Sequence, residues 1–344
     1  MNRIRQVFRP EQIRELSLLL IIFLIVIFFG SQITNYYTPR TFHRIASAVM
    51  IILVVAVGET LVVIARHIDL SVSSIVGVAA YVAGQQVSIH DDLPPLAVVL
   101  LAVGIGAALG LLNGVLVAYG NIPSIVVTLG TLAIYRGVLV EYGRGKNVLV
   151  RDLPDWLVDL PRENLFSIGE IDVRLLVGVA VVIVIVFQLV LIFLPYGRRL
   201  YAIGSNPDAA QVAGLPTRRI VLLAFVLSGA LSGLGGFIYL ARFGTISFNA
   251  AQGLHMQAIA AVVVGGINIF GGSGTMFGML LGAILMGILE QSLIRMQINE
   301  FWKDAIFGLF ILLAVASDAL VMNRLRDMWA RAAIRMYDAA IPEE

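Results

Sequence analysis

The side chains best placed to do chemistry are a few ionisable and hydroxylated groups set among long apolar runs. Glu59 lies within the run 45–65, and Arg66 and Asp69 follow at its end. A charge inside a bilayer is costly, and such groups usually mark a solute path, a proton relay or a gate. Arg66 and Asp69 stand three residues apart. On a continuous helix that spacing would pair them, and across a break it would not, so they read equally as a structural ion pair or as part of a gate. Ser71, Asn113, Thr128, Thr131 and Asn268 complete a set of candidate pathway residues. Each could hydrogen-bond a hydroxylated solute or tie two helices together.

Other chemistries lack their signatures. Lys146 follows Gly145 but precedes Asn147, so the Gly-Lys-Ser/Thr phosphate loop is absent and ATP hydrolysis by that route is excluded. His43, His67, His90 and His255 are scattered without metal-ligand spacing. There is no Gly-x-Ser-x-Gly elbow. Cysteine is absent, which removes disulfides, thiolate sites and cysteine nucleophiles. The expectation is a chain with no catalytic residue, no cofactor and no metal.

The elements that position these groups follow from composition. Of 344 residues, 59% are hydrophobic and only 13% charged, and mean hydropathy is +0.92. A soluble chain is about one quarter charged, so this one cannot cover a water-facing surface of its size. Soluble enzymes, disordered chains and nucleic-acid binders are excluded. Barrel strands alternate polar and apolar residues, whereas the runs here are long and unalternating, which predicts helices. About ten spans are expected, at 16–34, 45–65, 70–89, 94–119, 123–142, 173–195, 220–241, 255–270, 275–294 and 303–321. The first follows Arg3, Arg5, Arg9 and Arg14 without a small-residue cleavage site and is read as an uncleaved span. The segment 70–89 contains Ser71, Ser73 and Ser74, and 255–270 runs into a Gly-rich stretch to Gly274, so broken or partial helices are expected there. Gly106, Gly110 and Gly114, then Gly229 and Gly233, then Gly278 and Gly282, form small-xxx-small faces for close helix packing.

Orientation follows from the basic residues. The loop 143–172 carries six acids, while 196–219 carries Arg198, Arg199, Arg218 and Arg219 against Asp208 alone. With arginines at both ends of the chain as well, both termini are expected in the cytoplasm. The chain then reads as one membrane domain over 1–344, with a cytoplasmic N-terminus (1–15), an external loop (143–172), a cytoplasmic loop (196–219) and a cytoplasmic tail (322–344). The loop 196–219 predicts a short surface helix. Asn206 is its N-cap, Pro207 its first residue and Asp208 its complement to the positive end. Ala209, Ala210, Gln211, Val212 and Ala213 propagate it, and Gly214 ends it. Such a helix is either a capped connector or a coupling helix that enters a groove on a partner.

Taken together, several segments resemble the membrane permeases of ribose-type ATP-binding-cassette sugar importers. They are His67 to Gly77, Asn113 to Val117, Ile122 to Thr131, Gly204 to Ala210 with Gly214, and Val264 to Gly274. Ser73 departs from the family, which usually has Gly there. Arg66 to Asp69, Thr131 to Gly137 and Phe301 to Asp304 look most like permeases for rhamnose or autoinducer-2. The resemblance implies a multi-pass protein of the bacterial inner membrane, with two identical or related permease chains lining the pathway. It also implies separate ATP-binding subunits gripping the 206–214 helix, and a periplasmic or extracellular sugar-binding protein delivering the solute. The competing readings are a secondary sugar transporter driven by an ion gradient, which Glu59 and the Gly-rich eighth segment suit, and a membrane scaffold without transport.

Overall fold

The computed structural model describes residues 10–169, 171–299, 302–313 and 316. Eight helices among them are long and apolar enough to cross a membrane. They are α1 (Pro10–Gln32), α2 (Pro39–Ile64), α3 (Val72–Ile89), α4 (Pro95–Ala118), α5 (Ser124–Gly143), α7 (Leu175–Phe193), α10 (Thr217–Phe243) and α12 (Met276–Arg295). Each falls on an expected span. The eighth expected span is helical only over α11 (Leu254–Val264), too short to cross a bilayer alone. Of the tenth, residues 302–313, here α13, are helical, while most of 314–321 and the whole tail 322–344 lie outside the described residues.

The expected external loop 143–172 contains structure that its composition did not announce. The short helix α6 (Asp155–Asp159) is followed by an antiparallel hairpin, β1 (Asn164–Ile168) and β2 (Ile171–Arg174). The Ser167 hydroxyl donates to the Asp172 carboxylate at 2.6 Å and holds that carboxyl below the usual carboxylate range. At the far end of α7, roughly 28 Å away at 1.5 Å per residue, the loop 196–219 forms two helices rather than one. These are α8 (Pro195–Ser205) and α9 (Pro207–Val212).

Helix α2 is the axis of the bundle. Apart from Glu59 and Thr60 its inner part is apolar all round, and it is buried continuously from Ala48 to Ile64, as a helix surrounded by other helices must be. Helices α7, α10, α11 and α12 all pack on it. The tightest seam joins α4 to α10. There a methyl added at Gly106 would overlap the Gly229 carbonyl oxygen, and one added at Gly110 would overlap that of Phe225. Facing glycines thus bring two backbones to a distance no side chain allows, the close approach that lipid-embedded helices use in place of a hydrophobic drive. Gly278 and Gly282 of α12 meet Gly265 and Ala261 of α11 in the same way. Gly106→Ala is expected to cost about 1–3 kcal/mol, read as a lower melting temperature of the detergent-solubilised protein. An unchanged melting temperature would mean that the seam has slack.

Candidate functional site

The break between α2 and α3 is built by local capping. Helix α2 ends with Arg66 in a left-handed conformation (φ 68°). Arg66 N–H donates to the Val63 carbonyl and His67 N–H to that of Val62, closing a Schellman cap with an arginine where glycine is usual. The chain then turns inward. That brings the chain back alongside α2, where Glu59 Oε1 accepts the Asp69 N–H at 3.1 Å. Asp69 Oδ1 accepts the Ser71 N–H at 2.9 Å and the Ser71 hydroxyl at 2.6 Å, an Asx turn that leads into α3. Side chains thereby satisfy the backbone groups that the break frees, as the membrane interior requires.

The remaining candidates extend this network to α4 and α5. Asn113 Nδ2 donates to Ser71 Oγ at 2.8 Å, and the Tyr135 hydroxyl lies 3.1 Å from Asn113 Oδ1 and 2.9 Å from the Leu109 carbonyl oxygen. Thr128 Oγ1 lies 3.2 Å from the Ile68 carbonyl oxygen and 2.8 Å from that of Ser124. The Ile68 N–H donates to Ser124 Oγ, and Thr131 lies one turn on in α5. Glu59, Asp69, Ser71, Asn113, Thr128 and Thr131 are all buried and line one continuous polar seam around the break. Glu59 Oε2 and Asp69 Oδ2 are buried and accept no hydrogen bond from the described residues. Tyr135 and Ser124 belong to this seam, although nothing in the sequence singled them out. Tyr135→Phe is expected to cost about 1–3 kcal/mol, because Asn113 Oδ1 loses a donor in a dry setting. A melting temperature equal to that of the unaltered protein would show the bond to be idle.

Arg66 and Asp69 do not pair. The left-handed turn carries the exposed Arg66 away while Asp69 points inward. Arg66 instead lies beside Gly271 in the Gly-rich turn after α11. In that turn Asn268 Oδ1 accepts the Phe270 N–H, and Asn268 N–H donates to the Ser273 carbonyl. The Ile64 carbonyl at the end of α2 accepts the Gly272 N–H at 3.0 Å. Gly204 of α8 closes the arrangement, since a methyl there would overlap the Ile64 carbonyl oxygen and lie 2.5 Å from Gly272 N. The Tyr201 hydroxyl donates to the Gly274 carbonyl at 2.7 Å. The end of α2, the Gly-rich turn and α8 are thus locked together.

Helix α9 hangs from that lock and is capped at both ends. Asn206 Oδ1 accepts the Ala209 N–H at 3.0 Å, and Pro207 and Asp208 fill the first turn. Gly214 takes φ 77°, its N–H donates to Gln211 O, and Leu215 N–H donates to Ala210 O. That is a full Schellman motif, at a position where a Cβ would be strained. Ala210 faces inward at 5% exposure. Ala209, Gln211 and Ala213 face outward, and Val212 is 90% exposed.

Sequence comparison gives these arrangements a context. A family model described as the permease component of a branched-chain amino acid transport system matches residues 41–315. The autoinducer 2 import system permease protein LsrC of Escherichia coli O157:H7 is 35% identical over 329 residues, covering 92% of this chain and 92% of the relative. The LsrC protein of Salmonella typhi is 34% identical over 323 residues, covering 92% and 90%. No solved structure matches.

Proposed function

From the chain's membership of this family of transport permease components, we propose that it is the membrane subunit of an ATP-binding-cassette importer. It forms the path for a monosaccharide, namely autoinducer-2, rhamnose or a ribose-like sugar, and separate subunits hydrolyse ATP. The names of its relatives support the solute class. The observation that carries the coupling claim is α9, a doubly capped helix with a nearly bare valine at the tip of a connector. A large apolar side chain left in water on a rigid helix suits insertion into a partner's groove.

In this reading Asn206, Pro207, Asp208, Ala209, Ala210 and Gly214 build the coupling helix, and Val212 is its contact. Glu59, Asp69, Ser71, Asn113, Thr128 and Thr131 form the gate at the α2–α3 break. Arg66 and Asn268 stand between that gate and α8 and pass movement from one to the other. The protein crosses the bacterial inner membrane about ten times as a single domain, with both termini and the α8–α9 end in the cytoplasm. It works beside a second permease chain and receives solute from a soluble sugar-binding protein. The buried Glu59 and Asp69, together with the half-length α11, are also what a secondary transporter would use. Purification of the tagged chain in gentle detergent decides between them. Recovery of an ATP-binding subunit whose hydrolysis rises with sugar-loaded binding protein is expected. Recovery of the chain alone, without ATPase activity, would favour the gradient-driven carrier.

A further inference from the structure

Immediately past the buried seam, the first turn of α3 faces a cavity of ≈ 260 Å³ that the seam residues do not enter. Ser73 and Ser74 line it from α3, Arg136 from α5, Asn249 and Gln252 from the segment before α11, and His255 from α11 itself. Its size lies near the lower edge of small-molecule sites, which begin at roughly 300 Å³. A larger cavity of ≈ 690 Å³ shares Asn249 and Gln252 with it.

The chemistry of the smaller cavity is specific. Ser73 Oγ lies 3.0 Å from His255 Nδ1, which fixes the ring and leaves its Nε2 for a further partner. Ser74 donates to the Leu132 carbonyl at 2.8 Å and keeps its oxygen as an acceptor. Arg136 donates to the Phe248 and Ala250 carbonyls at 2.9 and 2.8 Å, so part of its guanidinium is spent in holding the 248–250 segment. The side-chain amides of Asn249 and Gln252 are exposed and bond to none of the described residues. No carboxylate lines this cavity. A zwitterion needs both signs of charge in its site. A neutral polyol needs groups that donate and accept at short intervals, which hydroxyls, amides and imidazole supply.

We propose that this cavity is a subsite for one neutral, polyhydroxylated solute of monosaccharide size, with Ser73, His255 and Gln252 as its principal hydrogen-bonding groups. The site deepens the importer reading and rests on it. Its affinity is weak, since a transport site must release what it binds.

The chain has no cysteine, so a single introduced thiol reports its own surroundings. Membranes carrying full-length Ala133→Cys, a lining position with no hydrogen-bonding side chain, are treated with N-ethylmaleimide in the presence of L-rhamnose, D-ribose, autoinducer-2 or L-leucine. At least one of the three sugars is expected to slow alkylation about fivefold at millimolar concentration, and leucine is not. Asp91→Cys, in the exposed turn before α4, should react at the same rate throughout. Adding His255→Ala should raise the half-protecting concentration roughly fivefold. Equal rates at Ala133→Cys with every sugar, or protection by leucine alone, would overturn the assignment. This readout needs no ATP-binding subunit, so failure of the coupling claim and failure of the subsite register separately.

Discussion

Val212→Glu is expected to lower solute uptake about a hundredfold while leaving the protein folded and in the membrane. The side chain is 90% exposed, so the substitution removes no internal contact. A hundredfold loss corresponds to roughly 2.8 kcal/mol at 1.4 kcal/mol per tenfold, the size of an interface hot spot. A charge forced into an apolar groove supplies that penalty. The expected signature is a normal melting temperature together with loss of the co-purifying ATP-binding subunit. Ala210→Glu is the contrasting case. Ala210 is 5% exposed and its carbonyl anchors the C-terminal cap, so a glutamate there displaces α9 itself and lowers both stability and uptake. Wild-type uptake by Val212→Glu would remove α9 from the coupling route.

The second large effect is expected at Gly204→Val. The glycine lies against the Ile64 carbonyl and Gly272 backbone, and neither is the yielding end of a flexible side chain. A branched side chain must separate α8 from the end of α2 and from the Gly-rich turn. The expected cost exceeds about 3 kcal/mol, the upper end of ordinary overpacking. It would be read as poor accumulation and a lower melting temperature. Gly204→Ala, the smaller insult, should retain folded protein but transport several-fold more slowly, because the lock lies between α9 and the seam at the α2–α3 break. Full uptake by Gly204→Ala would show that movement does not pass through this contact.

The sequence made these features legible to different degrees. The long helices could be read because lipid demands about twenty apolar residues per crossing, and Glu59 stood out because it interrupts the apolar run of α2. Helix α9 could be read because caps are local chemistry, and Asn206, Pro207 and Gly214 all sit within a few residues of the ends they define. Helix α8 was missed because Arg198, Arg199 and two glycines interrupt it, though Gly197, Leu200, Ile203 and Gly204 recur at helical spacing and are its buried face. The hairpin 164–174 went unread for a related reason, since its strands are short and its only turn signal is Gly169. Spacing alone could not decide between pairing and separation of Arg66 and Asp69. The answer came from a left-handed arginine, a conformation that most residue types avoid. Tyr135 was illegible because its role depends on α5 lying against Asn113 of α4, a long-range contact with no local signal. Val212 was visible as a helix residue, but its exposure is a property of the folded surface.

The polar seam also explains how a helix break persists in an apolar setting. At the junction of α2 and α3 the N–H groups of Arg66, His67, Ile68, Asp69 and Ser71 each meet a carbonyl or a side chain. The arrangement is fixed by four helices at once, α2, α3, α4 and α5, so it has few small distortions available and is suited to discrete alternatives. Gly204 and the Gly-rich turn attach that junction to α8, and α8 continues directly into α9.

The most direct test of ATP coupling through this subunit is uptake of radiolabelled sugar into proteoliposomes. These would contain the purified complex, the sugar-loaded binding protein outside, and ATP inside. Uptake that requires ATP and continues undiminished after an ionophore collapses all ion gradients is the expected result. Uptake that proceeds without ATP and stops with the ionophore would contradict it.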